Sequence, residues 1–289
     1  SVLGYTFLFG VLWGIGGLTY GLGVRYLGVS LGSSIILGLS MVLGALMPAI
    51  YYYFNPADGK HSIDFFFTTA SGLCVMAGLL LCIVGIYLCG KAGVLKEKGL
   101  SSAGVTDKTD YNFGIGIIVA LISGALSACF NFAIEAGKPM ADVANALWKS
   151  VNPGQGEFLY QNNVTYIVIL WGGFTTNFIW CAYLLLKNKT LTDYSKATAP
   201  LKKNFLLCAL AGTTWYLQFF FYGMGESRLG NGASSWILHM AFIILISNAW
   251  GVFLKEWKGV SKPTYTAIIS GIVIIILSIC VVGFAKTLE

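Results

Sequence analysis

Polar and charged side chains in this chain are confined to short intervals, and long apolar stretches run between them. Eight of these stretches reach the roughly 20 residues that a helix needs to cross the hydrocarbon core of a bilayer. Span A runs from about Leu3 to Gly21, B from Leu31 to Phe54, C from Phe65 to Gly90 and D from Phe113 to Ala136. E runs from Val164 to Leu186, F from Phe205 to Gly223, G from Ala233 to Leu254 and H from Tyr265 to Ala285. No helical stripe stands out within them, because a helix in lipid is apolar nearly all round. The pattern predicts an all-α membrane protein. The longest interval, Gly137 to Asn163, contains Pro139–Val151, where a proline precedes an alanine-rich body. Proline suits the first turn of a helix, so a short surface helix is expected there.

Composition excludes the other broad classes. Of the 289 residues, 56% are hydrophobic and 10% are charged, with a mean hydropathy of +0.75. A soluble domain carries about 25% charged residues, so the expected solvent is the lipid bilayer. The 36 glycines suit close helix packing in lipid. A net charge of +6 does not indicate nucleic acid, since the lysines are scattered through loops and build no basic face. The seven cysteines all lie in apolar runs, with no CxxC and no Cys/His cluster, and read as small apolar fillers, not metal ligands. No GxxxxGK[ST] loop is present, so neither direct ATP use nor an ATPase subunit is implied. Gly14-x-Gly16 lies inside a span with no strand before it and is no dinucleotide fingerprint. No cofactor and no enzymatic activity are expected. The chain opens on Ser1 with no charged leader, so its natural N-terminus is expected further upstream.

Charge then orients the spans. The A–B, C–D, E–F and G–H intervals hold 13 of the 18 lysines and arginines, and the remaining intervals and the C-terminal end hold five. Cytoplasmic loops carry the excess of Lys and Arg. The 13-residue side is therefore expected inside, with both ends of the chain outside.

A shift of 202 residues lays Gly10, Trp13, Tyr20, Gly21, Gly23, Leu27, Gly28, Ser33 and Ile35 on Gly212, Trp215, Tyr222, Gly223, Gly225, Leu229, Gly230, Ser235 and Ile237, nine identities in 26 positions. Spans A, B and C thus correspond to F, G and H. A enters from outside and F from inside, so the halves are inverted, as in many secondary transporters. D and E precede F, so two further helices are expected before A. The expectation is two inverted five-helix repeats, ten helices of which eight are visible. Residues 1–112 would hold the last three helices of the first repeat, and residues 113–289 the complete second one.

Several stretches resemble the bacterial L-rhamnose–proton symporters. They are Phe7-Leu8-Phe9-Gly10, Trp13-Gly14-Ile15-Gly16, Tyr20-Gly21-Leu22 and Arg25-Tyr26-Leu27-Gly28 at the start. Further on come Lys138-Pro139-Met140, Trp215 to Tyr222 (WYLQFFFY), Ser235 to Met240 (SWILHM) and Leu254-Lys255-Glu256-Trp257. The resemblance runs from span A to span H. It implies membership of the drug/metabolite transporter superfamily of ten-helix inverted repeats, a location in the bacterial cytoplasmic (inner) membrane, a small sugar substrate and protons as the coupling ion.

The spans carry residues suited to such work. Trp215, Gln218 and Tyr222 share one stripe of span F at i, i+3 and i+7. An aromatic face beside an amide suits a sugar, whose apolar C–H faces are rimmed by hydroxyls. The alternative is that the aromatics are interfacial belt residues. Trp13 and Tyr20 recur in span A, with Gly16 in place of Gln218. Span G places Trp236 and His239 within one turn. A histidine inside a span faces a cavity or a partner, and its ordinary titration range suits proton coupling. His239 is therefore a candidate for both a sugar hydrogen bond and a proton site. In span D, Ser123, Ser127, Asn131 and Glu135 recur every four residues, a stripe that must face protein or water. Asn131 is a candidate sugar contact. Glu135 is either an outer proton acceptor or half of a surface ion pair with Lys138. Arg25 is a gate residue or a headgroup contact. Gly10, Gly14, Gly17 and Gly21 line one face of span A and are expected to pack against a neighbouring helix. Gly172 and Gly173 read as packing, and Asn177 as a cavity residue.

The leading expectation is a proton-coupled importer of L-rhamnose or a related 6-deoxyhexose, working by alternating access. The alternatives are an exporter or exchanger of another metabolite on the same fold, and a sugar sensor that does not transport.

Overall fold

The computed structural model describes residues 1–102, 112–195, 200–255 and 257–288. Lys108 and Lys196, counted above among the inner cations, and Glu256 of the Leu254–Trp257 stretch lie outside the described residues. The described chain is helical, with no strand: α1 (Val2–Leu27), α2 (Val29–Phe54), α3 (Phe65–Thr68), α4 (Ala70–Ser102), α5 (Phe113–Val151), α6 (Asn163–Lys187), α7 (Leu201–Leu229), α8 (Gly232–Phe253) and α9 (Lys262–Ala285). Eight of these are long and apolar enough to cross a membrane, and they match spans A to H.

The helix ends differ from the hydropathy reading in three places. Span C does not start at Phe65. The chain is extended at Thr69, whose side chain donates to the Phe65 carbonyl at 2.8 Å and accepts from the Gly72 N–H at 2.9 Å. That second bond satisfies an orphan N–H of the first turn of α4, so the long helix begins after Thr69. Span D and the expected surface helix are one continuous helix, α5, with Pro139 inside it. A proline there removes one backbone bond and marks the weak turn of the helix without ending it. Span F continues past Gly223 to Leu229, so Glu226 is helical and not part of a loop.

The chain forms two compact units, and α1 and α5 contribute to both. The first unit comprises Ser1–Gly14 and Ala133–Gly230. Here α1 and α6 cross closely at glycines. A methyl group at Gly10 would meet the Ile169 backbone at about 3.1 Å, and one at Gly14 would meet the Gly173 backbone at 3.0 Å. Thr176 donates to the Val11 carbonyl at 3.0 Å across the same crossing. Gly172 and Gly173 are buried there, which matches the packing expected of them. The Asn177 side chain is exposed and donates to the Gly173 carbonyl of its own helix at 2.8 Å. Gly17 and Gly21 have open space at the methyl position, so only half of the expected glycine stripe packs.

Beyond α5, the loop before α6 is pinned back onto the end of that helix. The Asn145 side chain accepts from the Phe158 N–H at 2.8 Å, and Trp148 stacks on Phe158 with ring centroids 5.0 Å apart. Glu157 accepts from Lys149 at 2.5 Å and from Asn145, and these two donors hold its carboxyl below the ordinary carboxylate range.

The second unit comprises Ile15–Phe132 and Asn231–Glu289. Its tightest crossing joins α4 and α9. Gly85 and Gly271 approach so closely that a methyl group on either would meet the other's carbonyl at about 3 Å, and Ser278 donates to the Gly78 carbonyl at 2.7 Å. Helix α5 enters by the same device, since Ser123 donates to the Gly16 carbonyl of α1 at 2.9 Å. The inward turn of the span D stripe is real: Ser123 and Asn131 are buried, and Ser127 and Glu135 are half-buried. Of the cysteines, Cys82, Cys89 and Cys129 are buried and Cys181, Cys208 and Cys280 are exposed, all as free thiols.

Gly28 and Gly230, which fall on each other under the 202-residue shift, both hold positive φ, 84° and 70°. Each ends a long helix, α1 or α7, in a backbone conformation that glycine alone adopts without strain. The two share a positive φ but not a conformation, since ψ is 158° at Gly28 and 0° at Gly230.

The glycine contacts predict different outcomes for one substitution at two sites. Gly10→Leu forces a side chain into the Ile169 backbone and should cost about 1–3 kcal/mol. Gly17→Leu meets open space and should leave stability unchanged. Melting curves of the purified variants test this, and equal midpoints would contradict the crossing described here.

Candidate functional site

Two clusters hold the expected residues, one in each unit. In the first unit, Trp13 and Trp215 lie face to face, with ring centroids 6.0 Å apart and planes 13° from parallel. Phe219 stands edge-on to both, at 6.1 Å and 5.0 Å. The room for Trp13 comes from Gly173, where a methyl group would sit 2.7 Å from the indole. Residues equated by the repeat are thus also partners in space. Trp215 remains 47% exposed, which leaves part of its face open to a ligand. Gln218 lies one turn further along α7, half-buried, and its amide makes no hydrogen bond among the described residues. An amide inside an apolar span calls for a polar partner. Tyr222 is buried and packs beside Tyr166 at 6.5 Å. Tyr216 lies on a different face and donates to the Asn163 side chain at 3.3 Å.

The stripe does not stop at Tyr222. One turn on, Glu226 is only 3% exposed. It pairs with Lys138 at 3.1 Å and accepts from the Asn162 amide, whose N–H also reaches the Gly223 carbonyl at 3.1 Å. Lys138, expected as a partner of Glu135, bonds Glu226. Glu135 itself is half-buried on α5. Glu226, Asn162 and Phe219 were not among the expected site residues. The signal available was the continued spacing of Trp215, Phe219, Tyr222 and Glu226. It was hidden because the polar Glu-Ser-Arg run resembles a loop.

In the second unit, Trp236 is buried and its indole N–H donates to the Ser40 carbonyl of α2 at 3.1 Å. Phe130 stacks on it at 6.2 Å, and His239 lies 5.8 Å from it at a tilt of 39°. Asn131, next to Phe130, donates to the Gly44 carbonyl at 2.7 Å. Trp236 and Asn131 thus direct donors into α2, while His239 is half-buried beside the tryptophan. Tyr20 donates to the Ser33 hydroxyl at 2.8 Å. Arg25 is exposed in the last turn of α1. A separate open groove of about 570 Å³, lined by residues including Lys91, Lys262 and Ser270, contains none of the expected sugar residues.

The family model of the L-rhamnose-proton symport protein (RhaT) matches residues 1–287. The chain belongs to that family. It is 37% identical over 288 residues to the L-rhamnose-proton symporter of Citrobacter koseri, covering 98% of this chain and 78% of the relative. It is 37% identical over 282 residues to that of Cronobacter sakazakii, covering 96% and 76%. The symporter of Escherichia coli is 36% identical over 288 residues, covering 98% and 78%. No solved structure matches. Membership of a symporter family identifies a transporter and not an enzyme, and its coupling ion requires no cofactor.

The two donors that α2 receives give a stability prediction. Trp236→Phe keeps an aromatic ring against Phe130 but leaves the Ser40 carbonyl without its partner. It should destabilise the protein by about 1 kcal/mol, in the range for a lost buried hydrogen bond. A thermal or denaturant titration reads this, and an unchanged midpoint would show that the bond carries no stability.

Proposed function

We propose that this protein is a proton-coupled transporter that imports L-rhamnose, or a closely related 6-deoxyhexose, across the bacterial inner membrane. The substrate and the coupling ion come from the family, whose relatives bear the name L-rhamnose-proton symporter. The observation in this chain that supports the reading is the Trp13–Trp215 stack with the unbonded Gln218 amide beside it.

The chemistry fits the sugar. A 6-deoxyhexose has a methyl group and C–H faces that lie on an indole, and hydroxyls that both donate and accept. Trp215, with Trp13 behind it, offers the aromatic face, Gln218 the amide and Tyr222 a flanking ring. His239 is assigned a sugar hydrogen bond. Tyr20, Asn131 and Trp236 are assigned supporting roles in holding sugar-contacting helices, since each gives a hydrogen bond within the protein. His239 and Glu135 are assigned to the proton pathway, Lys138 to charge partnership and Arg25 to an inner gate.

In this reading the Lys/Arg-rich intervals face the cytoplasm and both ends of the chain face the periplasm, following the positive-inside rule. The architecture is the inverted repeat of the drug/metabolite transporter superfamily, with alternating access as the mechanism. The driving force is adequate, since each proton moving down 100 mV supplies about 2.3 kcal/mol.

Counterflow of labelled L-rhamnose into proteoliposomes of the full-length protein tests the reading. Exchange of L-rhamnose, and its loss by at least tenfold in Gln218→Ala and Trp215→Ala, is expected. No counterflow of any deoxyhexose would overturn the substrate assignment. Normal affinity in both variants would place the sugar elsewhere.

A further inference from the structure

Among the described residues, Glu226 is the most deeply buried carboxylate. Three elements build its surroundings. Lys138 comes from α5 at 3.1 Å, Asn162 from the cap of α6, and α7 carries the carboxylate in its last turn. Tyr166 on α6 and Tyr222 on α7 lie within electrostatic reach of Glu226, Tyr216 within reach of Tyr166, Glu135 within reach of Tyr222, and Glu157 within reach of Lys138. Lys138 is the cation that the structure pairs directly with Glu226.

The two partners of the ion pair differ in their burial. Glu226 is 3% exposed and Lys138 is 25% exposed. The ammonium can withdraw into water on its flexible stem, whereas the carboxylate cannot follow it. Lys138 also precedes Pro139, whose missing N–H weakens this turn of α5. An isolated carboxylate left buried costs several kcal/mol. The less costly path is for the carboxylate to take up a proton as the cation leaves. The neutral acid still accepts from Asn162, so the rest of its environment persists.

We infer that Glu226 binds the coupling proton, with Lys138 as the cation that the proton displaces. The step balances simply. One proton from water joins the carboxylate oxygen, the net charge of the pair rises by one, and the ammonium moves into solvent. Release reverses it: Lys138 returns, the acid loses its proton, and α5 is tied again to α7. Glu135 lies one turn before Lys138 on the same helix. This assignment rests on the proposed proton-coupled sugar transport.

The experiment compares wild type, Glu226→Gln and Glu226→Asp in proteoliposomes of the full-length protein. Two readouts are taken, L-rhamnose counterflow without a gradient and uptake driven by a pH gradient. Glu226→Gln should keep counterflow within about twofold and lose gradient-driven accumulation by tenfold or more. Glu226→Asp should retain driven uptake with a displaced pH profile. Driven uptake by Glu226→Gln at the wild-type level would overturn the assignment. Loss of counterflow in parallel with drive, in protein that remains monodisperse, would also overturn it and make Glu226 structural. Should Glu226→Gln fail to fold, an Asp variant with an unchanged pH profile overturns the assignment as well. Failure of the wild type to exchange L-rhamnose would instead overturn the function on which it rests.

Discussion

The interaction on which this structure depends is the hydrogen bond from a buried side chain to the backbone carbonyl of a glycine on another helix. Ser123 donates to Gly16, Asn131 to Gly44, Ser278 to Gly78, Thr165 to Gly137 and Asn162 to Gly223. A polar group inside a bilayer has no water to bond with and must be satisfied within the protein. A helix carbonyl already serves its own ladder, but it has a second lone pair, which a missing side chain uncovers. Glycine therefore does two things at each crossing: it lets the helices approach and it exposes an acceptor. On outer faces the same demand is met locally, as Thr175, Thr213 and Thr214 bond back to the carbonyls four residues earlier.

That constraint divides the polar residues into those with work inside the fold and those left for other work. Asn131 and Trp236 direct their donors into α2, and Tyr20 reaches Ser33. Gln218 has no such bond among the described residues, and Glu226 has a salt bridge whose cation is partly exposed. An uncommitted amide suits a ligand that comes and goes. A buried carboxylate with a removable partner suits a proton that does the same. Both sit on α7, two turns apart, so a change at one is carried to the other by a single rigid element.

Much of this was legible in the sequence. The eight spans follow from length and hydropathy, and span B ends with α2 at Phe54. The 202-residue shift equated Trp13 with Trp215 and Gly28 with Gly230. It could not say that the two indoles stack, because a repeat gives correspondence and not adjacency. The ends of α5 and α7 were misread for one physical reason. Lys138-Pro139 and Glu226-Ser227-Arg228 look like loop sequence, yet the charges of Lys138 and Glu226 neutralise each other across 88 residues of chain, which lets both stretches remain helical. The sugar roles expected of Asn131 and Trp236 rested on residue type. Only the fold reveals that their donors are engaged.

The central claim, that sugar and proton move together through this protein, is tested most directly by the pH of a weakly buffered suspension. De-energised vesicles containing the full-length protein are given L-rhamnose, and the external pH is followed. The account predicts a rise in external pH that accompanies sugar entry and is absent when D-glucose is added. Entry of L-rhamnose with no change in external pH would contradict it.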